Sequence, residues 1–99
     1  MNRTFDKAEL RERSGVPITR VTADVWNRKN GLRDEWGGTL RPHFGDVLTI
    51  TSGQYHLMLP GQGEHVIDVV SVNTSADVRR GGVVSSAEFL GSGDAPELA

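Results

Sequence analysis

The sequence has no cysteine, which excludes a disulfide framework, thiolate ligation of zinc or an iron–sulfur cluster, and thiol catalysis. It has no apolar run near the ~20 residues that a membrane helix requires. The opening Met1-Asn2-Arg3-Thr4-Phe5-Asp6-Lys7 carries an early positive charge with no hydrophobic stretch behind it. We therefore expect no secretory signal, no membrane partner, and a cytoplasmic location or a place in a particle assembled inside the cell. There is no Gly-x-Gly-x-x-Gly and no Gly-Lys-Ser/Thr phosphate loop, so the common nucleotide-binding frames are missing. Ser52, Ser71, Ser75, Ser85 and Ser86 lie in turns or strands without a recognisable elbow or a base placed beside them, as a nucleophile would need. These gaps point to a protein that is not an enzyme, with no catalytic residue, no cofactor and no small-molecule substrate.

What is present is one domain's worth of chain. Its 99 residues match a single domain. A chain of this size hides roughly 60–70% of its unfolded surface, enough for a modest core. Positive charge is unevenly distributed. Residues 1–41 hold nine of the eleven basic residues against six acids, a net +3. Residues 42–99 hold only Arg79 and Arg80 against seven acids, a net −5, and no Lys or Arg occurs from Pro42 to Val78. Such asymmetry marks either an arm seeking an anionic partner or two complementary surfaces that meet in self-assembly.

Along the chain, Asp6-Lys7-Ala8-Glu9 reads as a capping box, with Gly15 as a stop and Pro17 barring continuation. This predicts a short helix over 7–14 within an N-terminal arm, residues 1–16. A helix-turn-helix over Glu9 to Val25 is a rival pattern, but Arg11 and Asp24 fall where it wants small or apolar residues. From Pro17 to Trp26 the chain is β-branched, with Val21, Ala23 and Val25 alternating against Thr22 and Asp24, which is strand chemistry. Asn30-Gly31 is a strong hairpin signal. A two-residue loop there pairs Val25 with Trp36, Trp26 with Glu35, Asn27 with Asp34 and Arg28 with Arg33. The result is a basic hairpin over 17–41, projecting roughly 25 Å at ~3.3 Å per residue.

Residues 42–90 read as a β body. Strands are expected over 46–51, 54–59, 65–72 and 83–90, with turns at Ser52-Gly53, Pro60 to Gly63 and Gly81-Gly82, and a loop over 73–77. The 65–72 strand carries apolar residues on both sides and is expected to be the most central. Residues 91–99 read as a tail with no core to offer. The fold class is mainly β: a small β-barrel or sandwich of five to six short antiparallel strands, with a short N-terminal helix and a projecting hairpin.

The histidines His43, His56 and His65 lie near Asp46, Glu64 and Asp68, but none shows a tight ligand spacing, so no metal site is assigned. Asp68 interrupts an apolar strand and is read as solvated. Phe44 to Tyr55 resembles the opening of a KOW motif of SH3-like ribosomal and transcription-elongation barrels. The Lys-Gly that follows the aromatic in that family is replaced by His56-Leu57-Met58. The resemblance implies small-barrel geometry; a strand pair without Lys or Arg is badly placed to grip RNA.

The candidate binding residues are Trp26, Arg28, Lys29, Arg33 and Trp36. Trp and Arg are the types most enriched at interface hot spots, and the two tryptophans flank a basic tip. The leading expectation is a structural module that packs through its arm and hairpin into a homo-oligomer or a larger particle. Its plan is similar to that of the small β-rich head-tail joining and capsid-associated proteins of tailed phages. The alternative is a nucleic-acid-binding regulator using residues 1–41.

Overall fold

A computed structural model describes residues 1–43, 46–74 and 84–98. It contains six antiparallel strands: β1 (Asn2–Arg11), β2 (Pro17–Asn30), β3 (Arg33–Pro42), β4 (Gly53–Leu59), β5 (Gly63–Thr74) and β6 (Val84–Gly91). They form one sheet in the order β1-β2-β3-β6-β5-β4. Because β1 also pairs with β4, the sheet closes on itself into a ring of strands around one apolar interior. The architecture is mainly β, as expected from the alternating segments.

There is no helix among the described residues, which corrects the helix expected over 7–14. β1 runs through to Arg11, and a turn at Arg13 to Gly15 leads into β2. The reason is a β-bulge. Phe5 pairs with Ala23 and Ala8 with Val21, so Asp6 and Lys7 together stand opposite Thr22. Two residues opposite one is the signature of a bulge. It keeps both Phe5 and Ala8 facing inward across a three-residue step that otherwise reads as helical, and Leu10 follows at strand spacing. A lone eight-residue helix is marginal in water, whereas the strand buries Phe5, Ala8 and Leu10 and closes the ring. The helix-turn-helix pattern fails for the same reason, since Glu9 lies in β1 and Pro17 to Val25 in β2.

The strand expected over 46–51 does not form. Leu48 and Ile50 are 0% and 8% exposed while Val47 and Thr49 face water, so burial alternates, but the backbone joins no ladder. β4 has β5 on one side and β1 on the other, so the place beside β4 is already taken. Tyr55 holds the segment: its hydroxyl donates to the Thr51 carbonyl at 2.9 Å.

β4 and β5 form the expected hairpin around Pro60 to Gln62. β5 carries apolar residues on both faces but buries only one, with Ile67 and Val69 inside and Asp68 and Val70 outside. Asn73 and Thr74 extend β5; the rest of the loop expected over 73–77, the Gly81-Gly82 turn and Val83 lie outside the described residues. The tail contributes to the core after all. Leu98 is only 7% exposed and Ala95 packs on the core, while the Glu97 N–H donates to Gln62 Oε1 at 3.1 Å.

Trp36 organises the interior at this end. Its ring meets Phe89 edge-to-face at 6.1 Å and His65 at 5.4 Å, and its indole N–H donates to the Gly93 carbonyl at 3.3 Å. A Cβ at residue 91 would overlap the Trp36 ring, so Gly91 is the residue that lets the indole lie flat on β6.

Candidate functional site

The hairpin is built by β2 and β3, but one residue further along than the Asn30-Gly31 loop implies. Asn30 pairs with Arg33, and Gly31-Leu32 make the turn. Gly31 takes a φ of 67° and Leu32 a negative one, the demand of a two-residue loop with glycine first. The pairs become Arg28 with Glu35, Lys29 with Asp34, Asn27 with Trp36 and Trp26 with Gly37. The register is displaced by two residues, so Trp36 keeps its inward face. The physical gain is electrostatic. The expected Arg28–Arg33 contact, two like charges, gives way to two pairs of opposite charge. That charge pattern was the available signal for the true register.

The hairpin projects because its neighbours end early. The β1–β2 ladder stops at Asn2 and Trp26, and the β3–β6 ladder at Gly37 and Leu90. Asn27–Asn30 and Arg33–Trp36 then pair with each other alone, apart from a clamp at the base. There the Met1 ammonium donates to the Asn27 carbonyl at 3.1 Å, and the Asn27 N–H donates to the Met1 carbonyl at 3.0 Å. Four residues per strand reach about 13 Å beyond the ring, half of the expected projection. Leu32 at the apex is fully exposed; sequence reasoning had not singled it out.

Strand alternation separates the five candidate residues. Trp26, Arg28 and Arg33 share the outer face, and Lys29 and Trp36 the inner one. Trp36 is 2% exposed and belongs to the core. Trp26 is half-buried on the outside, with the Arg28 guanidinium 5.0 Å from its ring centroid, within cation–π range. Arg28 Nε also lies 3.1 Å from Glu35 Oε2.

Ring order turns the charge asymmetry of the sequence into two sides of the molecule. β1, β2 and β3 are contiguous and carry eight basic residues; β6, β5 and β4 are contiguous, carry no Lys or Arg, and hold Glu64, Asp68 and Glu88. Half of the eight cations are neutralised where they stand: Arg11 by Glu9 and Glu64, Arg20 by Asp46, Arg28 by Glu35 and Arg41 by Asp24. Arg3 lies 4.6 Å from the Phe5 ring centroid. Among the described residues, Lys7, Lys29 and Arg33 make no ion pair.

The histidines are dispersed. His56 Nδ1 lies 2.7 Å from Glu64 Oε1, and Glu64 Oε2 lies 3.1 Å from Arg11. His65 Nε2–H donates to the Gln62 carbonyl at 3.0 Å, and His43 sits beside the β2 end, its backbone N–H bonded to the Arg20 carbonyl at 3.4 Å. Among the described residues no three metal-ligating side chains converge. The chain Glu9–Arg11–Glu64–His56 lies over the β1–β4 ladder, which has three residue pairs, Glu9–Met58, Leu10–Leu57 and Arg11–His56. The hydrogen bond with His56 holds the Glu64 carboxyl below its ordinary pKa, with Arg11 adding to the effect. The hydrogen bond to Glu9 raises Arg11. Asp68 is exposed on the outer face between Gln54 and Leu90.

Compared with family models, curated proteins and solved structures, the chain matches none of them.

Proposed function

We propose that this chain is a non-enzymatic assembly module, a small barrel that packs through its projecting hairpin and N-terminal arm into a homo-oligomer or a larger particle, as a virion component of the head-tail joining or capsid-associated kind would. The observation that carries the reading is the hairpin beyond Trp26 and Gly37. It ends in a fully exposed Leu32 flanked by Lys29 and Arg33, neither of them ion-paired among the described residues. Nothing in the ring's core requires these side chains, and an exposed apolar apex with a cationic rim suits a partner surface. The segregation of basic and acidic strands supports contact between copies, because opposite-signed sides complement each other.

A second reading rests on the stacked Trp26–Arg28 pair, a platform of the kind that receives nucleic-acid bases. Against it, half of the strand cations are already bound to acids of the same chain, which leaves few to neutralise phosphates.

Sedimentation of the purified chain over a wide concentration range, with a low-salt pull-down before and after nuclease treatment, tests both. Self-association, or nuclease-resistant capture of protein partners that is lost when the hairpin is shortened to a tight turn, supports the assembly module. A strict monomer that captures no protein overturns it, and salt-sensitive, nuclease-labile retention shifts the answer to nucleic acid.

A further inference from the structure

We infer that the hairpin tip of one copy docks on the outer face of the β5–β6 ladder of another, a head-to-tail contact; this rests on the assembly reading above and names the surface that receives the tip. Among the described residues the large apolar side chains that are half exposed or more are Met1, Val16, Leu32, Val47, Val70 and Leu90. Val16 and Val47 lie in connections at the far end of the ring, and Met1 is in the clamp at the hairpin base. Leu32 stands alone at the tip. Val70 and Leu90, 53% and 50% exposed, are the two on the wall of the ring, and they sit on neighbouring strands. Asp68 pairs with Leu90, and the irregularity between Val69 and Ser71 leaves Val70 beside Glu88. Val69 and Phe89 of the same ladder point into the core, and these four turn outward. Two apolar groups and two carboxylates therefore share one small face. Neither carboxylate makes an ion pair among the described residues, and β4, β5 and β6 carry no Lys or Arg.

The chain itself presents the complement. Across the hairpin strands Arg28 stands opposite Glu35 and Lys29 opposite Asp34, whereas Arg33 stands opposite Asn30. Arg33 is thus the tip's uncompensated charge, next in sequence to the fully exposed Leu32. A leucine beside an unpaired guanidinium matches a face of leucine and valine beside unpaired carboxylates, in both apolar contact and charge. The wall made by β1, β2 and β3 offers no such match. Arg11, Arg20 and Arg41 are bonded there to acids of their own chain. Lys7 is unpaired, but no large apolar side chain of that wall is half exposed among the described residues. A tip cannot reach its own receiving face, because Leu32 lies five residues past Gly37, the partner of Leu90, which is about 16 Å along the strand. The contact therefore joins two molecules. Tip and face are different surfaces, so each copy can use both at once, and association runs on unless it closes into a ring.

A tip of a few residues covers far less than the ~800 Å² per partner of a standard interface, so each contact is weak and salt-sensitive. Sedimentation of the whole chain at low salt should show self-association that grows with concentration and weakens about tenfold at ~0.5 M salt. Leu32→Ser and Arg33→Glu at the tip, and Glu88→Lys and Leu90→Ser on the face, should each weaken it about tenfold or more, with folding confirmed by urea midpoints. The deciding measurement mixes a tip variant with a face variant. Leu32→Ser keeps an intact face and Leu90→Ser an intact tip, so each alone should stay monomeric while the mixture forms a one-to-one dimer and stops there. Should Leu90→Ser fail to fold, Glu88→Lys takes its place. A mixture that stays monomeric overturns the contact. Face variants that associate as well as the parent also overturn it, and if the tip variants still abolish association, the assembly module stands with another receiving surface. A parent that is monomeric at every concentration yet captures a protein partner through its tip ends this contact alone; one that captures none ends both.

Discussion

Within the ring every strand has a neighbour on each side and one face turned to a shared apolar interior. Beyond Trp26 and Gly37 the same two strands keep only each other, and of the side chains described there all but Trp36 turn to water or to the end of the ring. The backbone conformation is the same in both regions; what differs is whether hydrophobic burial or cross-strand charge holds the strands. Closure of the ring comes from apolar area removed from water, and the hairpin from opposite-charge pairs and a clamp at its base. Stability and surface chemistry are thereby separated along a single pair of strands. The sharpest way to break this comparison is in the ring. Phe89→Ala removes the ring that Trp36 leans on and should cost about 3–5 kcal/mol, read as a large fall in the urea midpoint. If the protein unfolds no more readily, the interior is not what closes the sheet.

A smaller effect should come from the tail. Leu98 lies at the hairpin end of the ring, near Met1, Asn27 and Lys29. Leu98→Ala should cost about 2 kcal/mol, the low end for a buried leucine because the site lies at the rim. Equilibrium urea unfolding measures it, and a shift indistinguishable from zero would return residues 95–98 to the status of a free tail.

How far these two regions were legible differs in kind. Period-two alternation at Val21, Ala23 and Val25 and at Leu57 and Leu59 marks the inward faces without ambiguity, because alternation belongs to one strand and needs no knowledge of its partner. β1 was not legible, because the bulge at Asp6-Lys7 converts a strand into a three-residue step between Phe5 and Ala8, and a capping-box pattern overlies it. That single misreading propagated. Once β1 occupies the place beside β4, residues 46–51 cannot pair there however strand-like they are. The hairpin was legible as a hairpin, but its register depended on weighing Arg28–Glu35 and Lys29–Asp34 against the Asn30-Gly31 preference, two small energies of similar size. The candidate residues at its tip held their places at the surface, whereas Trp36 belongs to the interior, because strand parity sends the two tryptophans to opposite faces.

The seam between β1 and β4 offers a finer test, since three residue pairs close it and a carboxylate network covers it. The folded-state pKa of Glu64 is lowered, chiefly by its hydrogen bond with His56. The sign follows: this contribution is fully present above the unfolded carboxyl pKa, about 4.3, and is lost as pH falls through the lower folded value. Glu64→Gln should therefore lower the urea midpoint modestly at pH 6, with the gap from the parent narrowing as pH drops below 4.5. A gap that is unchanged at pH 3 would mean that the carboxylate charge plays no part in holding the seam.

The smallest effect on stability should come from the tip, and there it is most informative. Leu32→Ser and Arg33→Ala touch neither the ring's interior nor the base clamp, and exposed substitutions of this kind stay within about 0.5 kcal/mol of the parent. Their urea midpoints should superimpose on the parent's, while capture of protein partners at low salt should fall in the order in which exposed apolar and cationic groups are removed. The two readouts together decide whether the regions are separate. If Leu32→Ser lowers the midpoint as much as a rim substitution such as Leu98→Ala, the tip is part of the folding unit and its exposure has a structural cause. If it leaves the midpoint alone and abolishes capture, then the fully exposed leucine at the end of a charge-paired hairpin is retained for what it touches outside the chain.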